Sequence, residues 1–399
     1  MADVQDAPAG PVSYPFNRTD GIGLSEAYAH ARDLPGLLKV QLPYGEPAWL
    51  ATRYADARLV LGDRRFSRAE EERHDGPRQW AEQRAGGILS MDPPHHTRLR
   101  TLVAKAFTVH RVEKMRPDIS RLADGLVDGL IAAGSPADLV EDFALPIPVA
   151  VICQLLGVPV EDRPLFRDWS DAALSTSGLT PEEFTTKREE LRAYMAGLIA
   201  RHREEPADDL MSALIQARDV DDRLSETELV DLCVGILVAG HETTATQIPN
   251  FVYALLEHPG QLRLLSEQPA LIPGAVEELL RFVPLGAGAA FPRYATEDIE
   301  VGGTLVHAGE PVLVAVGAAN RDALRFSSPG VLDIEREGNQ HLGFGHGVHH
   351  CLGAPLARVE LQEALRALLT RLPGLRLAGD IVWKQQMIVR GPRTMPIGW

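Results

Sequence analysis

The run Phe344-Gly345-His346-Gly347-Val348-His349-His350-Cys351-Leu352-Gly353 places one cysteine in a loop framed by glycines, directly ahead of a helical pattern. An ordinary core cysteine behaves as a small hydrophobe. At a helix N-terminus, free backbone N–H groups and the helix dipole favour its thiolate instead. A thiolate held in that way is a metal ligand or a nucleophile. Zinc would draw on His346, His349, His350 and Cys351, but the adjacent His350 and Cys351 would have to double back on one ion, and no Cys-x-x-Cys spacing completes the set. The loop does not match the local signatures of cysteine nucleophiles. An axial thiolate to a haem iron fits better, since it needs one sulfur, a tight turn that lets amides approach it, and an apolar shield such as Phe344.

A second group, Ala239-Gly240-His241-Glu242-Thr243-Thr244, lies in the middle of a long apolar helical pattern. Threonine, glycine and an acid are each unfavourable in a buried helix, and a buried carboxylate needs a partner. Either this is a hydrogen-bonded core patch or a groove beside a bound group, in which Gly240 makes room and Glu242 with Thr243 handles protons. A zinc-protease reading of His241-Glu242 fails because position 245 is alanine where a second histidine is required. Glu278 and Arg281, three residues apart, share a helix face. On a surface such a pair contributes little.

Most of the chain reads as helix. Residues 97–132 carry apolar positions at helical spacing, with an interruption expected near Pro117. Thr180, Pro181 and Glu183 open a helix over 181–203, and the preceding 175–179 stretch reads as a loop. Ser225 with Glu228 opens the longest helix, which runs to about Glu257, and its Leu229–Gly240 portion reads as buried all round. Pro249 should kink it. Residues 355–370 are helical again. Strand signals are few: Ala48–Thr52, Pro311–Val316 and a hairpin over Ile299–Val306 with a Gly-Gly turn. The expected fold class is mainly α with small β-sheets (α+β). A flexible segment 1–13 should precede a single domain over 14–399, since no linker, repeat or low-complexity stretch divides the 399 residues.

Hydrophobic content of 45% and charged content of 24% are those of a soluble globular protein. No segment has the run of apolar residues a membrane span needs, and the first ten residues lack an apolar signal core. Three cysteines do not make a disulfide framework, so a cytoplasmic protein is expected. A net charge of −15 argues against nucleic-acid binding. Arg98, Arg100, Lys105, Arg111, Lys114 and Arg116 nonetheless concentrate positive charge, either as a solvated helix face or as a docking patch for an acidic partner.

Taken together, these residues resemble the cytochrome P450 family. Phe344, Gly347, Cys351 and Gly353 meet its F-x-x-G-x-x-x-C-x-G signature. Ala239, Gly240, Glu242 and Thr243 meet A-G-x-[DE]-T, and Glu278 with Arg281 meets E-x-x-R, in the family's order. Asp92-Pro93-Pro94-His95-His96-Thr97-Arg98-Leu99-Arg100 is similar to a further segment of its soluble bacterial members, except that His95 stands where an acid is usual. The resemblance is nearest to members that tailor macrolides and other polyketides. It implies the P450 fold with a long central helix crossing the haem, haem b as cofactor, and Cys351 as ligand to its iron. It further implies that His96, Arg100, Arg293 and His349 hold the propionates, whose carboxylates suit cationic and donor side chains, and that Ala239, Gly240, Phe344, Gly345 and Gly353 lie against the haem.

By the same resemblance Glu278, Arg281 and Arg336 form a structural ion-pair cluster, while Glu242 and Thr243 supply protons to the oxygen-activation site. The implied partners are a ferredoxin and its reductase as separate chains, which favours the docking reading of 98–116, together with O2 and a small hydrophobic substrate. A monomer is expected. Ile88, Leu89, Ile236, Leu285, Ala289, Ala290, Phe291, Met387 and Ile388 match substrate-lining positions, and the Gly/Ala run at 286–290 is expected to leave volume for a bulky ligand. Hydroxylation or epoxidation of a macrolide or polyketide leads. A steroid, terpenoid or xenobiotic substrate, a peroxide-driven enzyme and a non-catalytic haem protein are the alternatives.

Overall fold

The helix carrying Ala239–Thr244 spans Glu226–Leu256, and a closed capping box starts it: Ser225 accepts from the Glu228 amide while the Glu228 side chain accepts from the Ser225 amide. A second such box, Thr180 with Glu183, opens Pro181–Glu204. These are features of a computed structural model that describes residues 10–82, 87–162, 165–207, 209–221 and 223–399. The central helix passes through Pro249 without ending. It packs against Pro146–Leu156 and against Ala354–Arg371, the helix that follows the cysteine loop. Gly240 permits the first contact, because a Cβ there would come within 2.8 Å of the Ile152 side chain. The room expected at Gly240 is therefore taken up by Ile152 in that direction.

The helix is not buried all round. Gly235 and Ala239 are exposed, and Ile236 and Thr243 are partly so, although flanking residues such as Leu232, Leu237 and Glu242 are buried. Gly235, Ala239 and Thr243 are four residues apart, so they form one stripe on one helix face. An accessible stripe in the middle of a buried helix marks the wall of an internal cleft.

Near the basic stretch the helices are His95–Ala104 and Val109–Ala133. The break lies at 105–108, not at Pro117. Ala106 and Phe107 are buried there and Thr108 is extended. Pro117 is tolerated because it lies on the exposed face, where water can serve the carbonyl left without a donor.

Small sheets flank the helical body. The largest has six strands in the order Val12–Ser13, Leu38–Gln41, Ala48–Ala51, Pro311–Val314, Arg293–Ala295 and Phe66–Ser67. Its register sets Val312 beside both Trp49 and Arg293, which fixes Arg293 on an inner strand. Ile299–Val301 pairs with Thr304–Val306 through Gly302 and Gly303, both at positive φ (58° and 88°), the backbone a two-residue hairpin demands. Of the segment expected to be flexible, residues 1–9 lie outside the described residues. Val12–Ser13 is a strand paired with Val40–Gln41, so order begins before residue 14. Among the described residues no helix is long and apolar enough to cross a membrane.

Glu278 and Arg281 are completely buried. Arg281 donates twice to Glu278, at 2.7 Å each, and to the carbonyls of Asn320 and Pro329 at 2.9 Å. Arg336 and Asn339 complete the carboxylate at 3.0 and 3.1 Å. The pair is thus the hub that ties residues 320–339 to the helix Ile272–Phe282.

Candidate active site

The cysteine loop is shaped by close approach. Gly345 and Gly347 sit at φ 75° and 72°, and a Cβ on Gly347 would fall 2.3 Å from the Leu61 carbonyl oxygen. Only glycine combines that backbone with that contact. The loop closes through the Cys351 amide, which donates to the Phe344 carbonyl at 2.8 Å. Phe344 is partly buried, with the Arg358 guanidinium 4.6 Å above its ring.

The Gly353 and Ala354 amides reach the Cys351 sulfur. Burial nevertheless outweighs them and the charges of Arg100 and Arg358, so the free thiol is raised above its ordinary value. The thiolate expected from the loop alone needs a further positive charge, which a coordinated metal ion provides. Cys351 also has accessible surface. Its thiol is enclosed by protein while the residue keeps accessible surface, so Cys351 sits in a recess. Among the described residues no three His, Cys, Asp or Glu side chains converge on a metal site. His346, His349 and His350 therefore do not join Cys351 as ligands.

A rim of positive and donor groups borders the recess. The rings of His96 and His349 lie 4.3 Å apart between centroids, tilted by 50°, and each keeps a buried nitrogen without a partner: Nδ1 of His96 and Nε2 of His349. Burial, followed by the charge of Arg293, pushes His349 down to about 3. Burial, followed by the charge of Arg68, pushes Arg293 down to about 10. Arg100 donates to the His350 carbonyl at 2.6 Å, holding the loop from the other side. Two imidazole nitrogens without hydrogen-bond partners and a buried guanidinium beside a second arginine call for polar partners, and for the guanidinium an anion suits best. A pair of carboxylates would satisfy all of them, so the chain's own residues fit a haem with its propionates on this rim.

Sequence reasoning missed two residues. Arg68 is buried, donates to the carbonyls of Leu89 (2.8 Å) and Pro292 (2.6 Å), and stacks 5.2 Å over Phe291. It joins the Asp92 segment to the Arg293 strand, and no motif marks it. Glu360 of the post-cysteine helix meets the Thr244 hydroxyl, and burial pushes it up to about 8, so it holds its proton at neutral pH. An acid inside the apolar 355–370 pattern was the available signal.

On the accessible stripe of the central helix, Thr243 donates to the Ala239 carbonyl at 2.7 Å. Glu242 does not accompany it. Glu242 is buried in an ion pair with Lys384, and the Lys384 ammonium also donates to Thr246 at 2.7 Å. The acid and the alcohol are neighbours in sequence but face different surroundings. His241 points elsewhere again, with Nδ1 2.9 Å from the Ser170 hydroxyl.

Of the expected substrate positions, Leu89 and Phe291 are exposed, while Ile88, Ile236, Leu285, Ala290 and Ile388 are partly buried. Ala289 belongs instead to the core around Tyr14, to whose hydroxyl its amide donates at 2.6 Å. The small residues at 286–289 are also not empty volume. A Cβ on Gly288 would lie 2.6 Å from Pro15, and one on Gly286 would lie 3.0 Å from the Gly288 carbonyl. Met387 is buried and bridged to Ser175. The basic stretch is partly consumed: Arg98 pairs with Glu228, and Arg116 with Glu113 and Glu363. Lys105, Arg111 and Lys114 remain exposed.

A cysteine in a glycine-shaped loop, imidazole nitrogens without partners beside it and an accessible small-residue stripe that ends in a hydroxyl are the parts of a haem-thiolate oxygenase site. The chain belongs to the cytochrome P450 family, whose model matches residues 41–373. It is 54% identical over 394 residues to the mycinamicin IV hydroxylase/epoxidase of Micromonospora griseorubida, covering 98% of this chain and 99% of that one. It is 52% identical over 392 residues to the nocardicin C N-oxygenase of Nocardia uniformis subsp. tsuyamanensis, covering 97% and 98%. The crystal structure of HinD with NMFT and NO superposes with a TM-score of 0.95 at 46% identity, covering 98% of this chain and all of that one. The protein is a cytochrome P450 monooxygenase with a haem-thiolate cofactor, and it works with redox partners, O2 and a hydrophobic substrate.

Proposed function

We propose that the protein inserts one oxygen atom of O2 into a macrolide or related polyketide, by hydroxylation or epoxidation, in secondary-metabolite biosynthesis. The observation that carries this reading is the near-full-length identity to an enzyme named for that chemistry on mycinamicin IV. The apolar, partly accessible side chains of Leu89, Ile236, Leu285, Phe291 and Ile388 support a bulky apolar ligand.

The cofactor in this reading is haem b, whose iron Cys351 would hold. His96, Arg100, Arg293 and His349 hold its propionates. When bound, the haem supplies oxygen activation and insertion. The chain's own residues supply the rest. The Gly353 and Ala354 amides donate to the cysteine sulfur and tune its electron donation. Thr243 presents a hydroxyl at the accessible stripe, and Glu242 handles the protons that pass there. Ala239 and Gly235 keep that wall low, so substrate can lie against it. Electrons come from a ferredoxin and its reductase, and exposed Lys105 and Lys114 offer positive charge to an acidic partner. The chain acts as one domain that takes in the Val12–Ser13 strand, as a cytoplasmic monomer.

Titration of the purified holoprotein with macrolides, steroids, small terpenes and amine-bearing lactams, followed through the iron spin-state shift, tests the substrate class. Macrolides are expected to give a saturable shift. A clear response to terpenes or lactams with none to any macrolide would overturn the proposal.

A further inference from the structure

The Glu242–Lys384 pair is not accounted for by the fold. Both residues are buried, at 3% and 5% exposure. The Lys384 ammonium donates to Glu242 and, at 2.7 Å, to Thr246, whose hydroxyl in turn reaches Glu242 at 3.2 Å. A buried ion pair adds little net stability compared with well-packed apolar residues. Placed one residue before Thr243, on the helix that walls the cleft, it has a different consequence.

We propose that Lys384 is a positioning residue of the proton path: it holds Glu242 turned towards the C-terminal hairpin, and Glu242 serves the Thr243 face only when that contact opens. This rests on the reading of Glu242 as the proton-handling acid. Glu242 and Thr243 are about 100° apart around the helix axis, and a glutamate has enough rotatable bonds to swing across that interval. While paired, Glu242 is a carboxylate and has no proton to give. When Lys384 withdraws, the carboxylate takes up one proton from the solvent's acid pool and passes it to the Thr243 hydroxyl oxygen as that hydroxyl gives its own proton to the acceptor in the cleft, and Glu242 returns to the ammonium as a carboxylate, so one proton enters and one is consumed. Burial works to raise the Glu242 carboxyl and the Lys384 charge works against it, with a net position below the ordinary value. The other charged or titratable groups around it are His241 on the same helix, and Arg167 and Asp171 of Leu165–Leu174, with Asp171 paired to Arg393 at 2.6 Å.

The place of Lys384 in the chain links this contact to ligand seating. Its amide donates to the Gly391 carbonyl at 2.9 Å, at the root of a hairpin whose tip is laced to both neighbouring segments. Thr176 donates to Gln386 (2.7 Å), Ile388 to Leu174 (3.1 Å), Ala287 to Ile388 (3.0 Å) and Arg390 to Leu285 (2.8 Å). A molecule that displaces Met387 or Ile388 strains the segment that follows Val382–Trp383 and carries Lys384. Proton delivery is in this way made conditional on occupancy of the cleft.

The test uses holoenzyme carrying Lys384→Met, Lys384→Arg, Glu242→Gln and the Lys384→Met/Glu242→Gln double variant. Two properties are read: the fraction of consumed O2 recovered as product across pH, and the infrared carbonyl band of a protonated carboxyl in the substrate-free protein. Lys384→Met is expected to raise the pH at which Glu242 is half-protonated by about one to three units, the usual effect of losing an adjacent opposite charge. A protonated-carboxyl band then persists to higher pH than in the parent, and the pH profile of coupling moves upward with it. Lys384→Arg should restore both, and in the Glu242→Gln background Lys384→Met should change neither. If Lys384→Met does not fold, Lys384→Gln removes the charge with less loss of polarity and is read in the same way. A lowered melting temperature with unchanged coupling profile and unchanged infrared spectrum would make Lys384 purely structural. If Glu242→Gln uncouples but Lys384→Met shifts nothing, only this inference fails. If Glu242→Gln leaves coupling intact, the underlying role of Glu242 fails as well.

Discussion

Cys351→Ser is expected to fold and to lose monooxygenase activity down to the level of a haem-free control. The two parts of that outcome have separate causes. The Cys351 side chain belongs to no core cluster and carries accessible surface, so its replacement removes almost no packing. The loop is held by other means: the Cys351 amide on Phe344, the Arg100 contact with the His350 carbonyl, and the backbone of Gly345 and Gly347. A serine keeps all of these. It does not keep the soft sulfur, and thiolate donation is what favours O–O cleavage in this class of site. Circular dichroism and melting temperature should match the parent protein. The reduced carbon monoxide complex should lack the red-shifted Soret band of thiolate ligation. Product formation at a measurable fraction of the parent rate would remove Cys351 from its assigned role.

Arg281→Leu is expected to prevent recovery of folded, haem-bound protein. Arg281 and Glu278 have no exposed surface, and the guanidinium also serves the Asn320, Pro329 and Val331 carbonyls. Removing one partner of a buried pair leaves an uncompensated charge at a cost of about 3–5 kcal/mol. A whole domain is stable by only about 5–15 kcal/mol. Arg336 remains beside Glu278 at 3.0 Å, but it cannot reach the orphaned carbonyls of 320 and 329 as well as its own at Ser327. The measurement is soluble yield with haem content per chain. A variant that retains normal haem content and melts within a few degrees of the parent would show that the cluster is dispensable.

The parts of the fold legible from sequence are those set by short-range chemistry. The capping boxes at Thr180 and Ser225, the Gly302-Gly303 hairpin and the Glu278–Arg281 pair all depend on residues within four positions of one another. Cys351 belongs to the same group, since its loop glycines lie within a few residues of it. Contacts made across the chain left no local trace. Lys384 meets Glu242 from 142 residues away and looks, in sequence, like any lysine of a terminal strand. Gly240 and Gly288 suggested space for a ligand, but their missing side chains accommodate Ile152 and Pro15. A small residue shows that something approaches, not what. Ala289 was misplaced for the same reason, because the Tyr14 hydroxyl that takes its amide lies near the other end of the chain. Periodicity over Leu229–Gly240 suggested complete burial because alanine and glycine count as apolar. They are also the residues that line a cleft without filling it, and the exposed Gly235–Ala239 stripe is where the two meanings part.

The function proposed for this haem-thiolate enzyme is transfer of one atom of O2 to a macrolide or related polyketide with electrons from a ferredoxin. The most direct measurement is turnover of such a substrate under 18O2 with reduced ferredoxin and its reductase, followed by mass analysis. The account predicts a product carrying one labelled oxygen, formed without added peroxide. A product whose new oxygen is unlabelled, or turnover that requires peroxide and fails with ferredoxin, would contradict it.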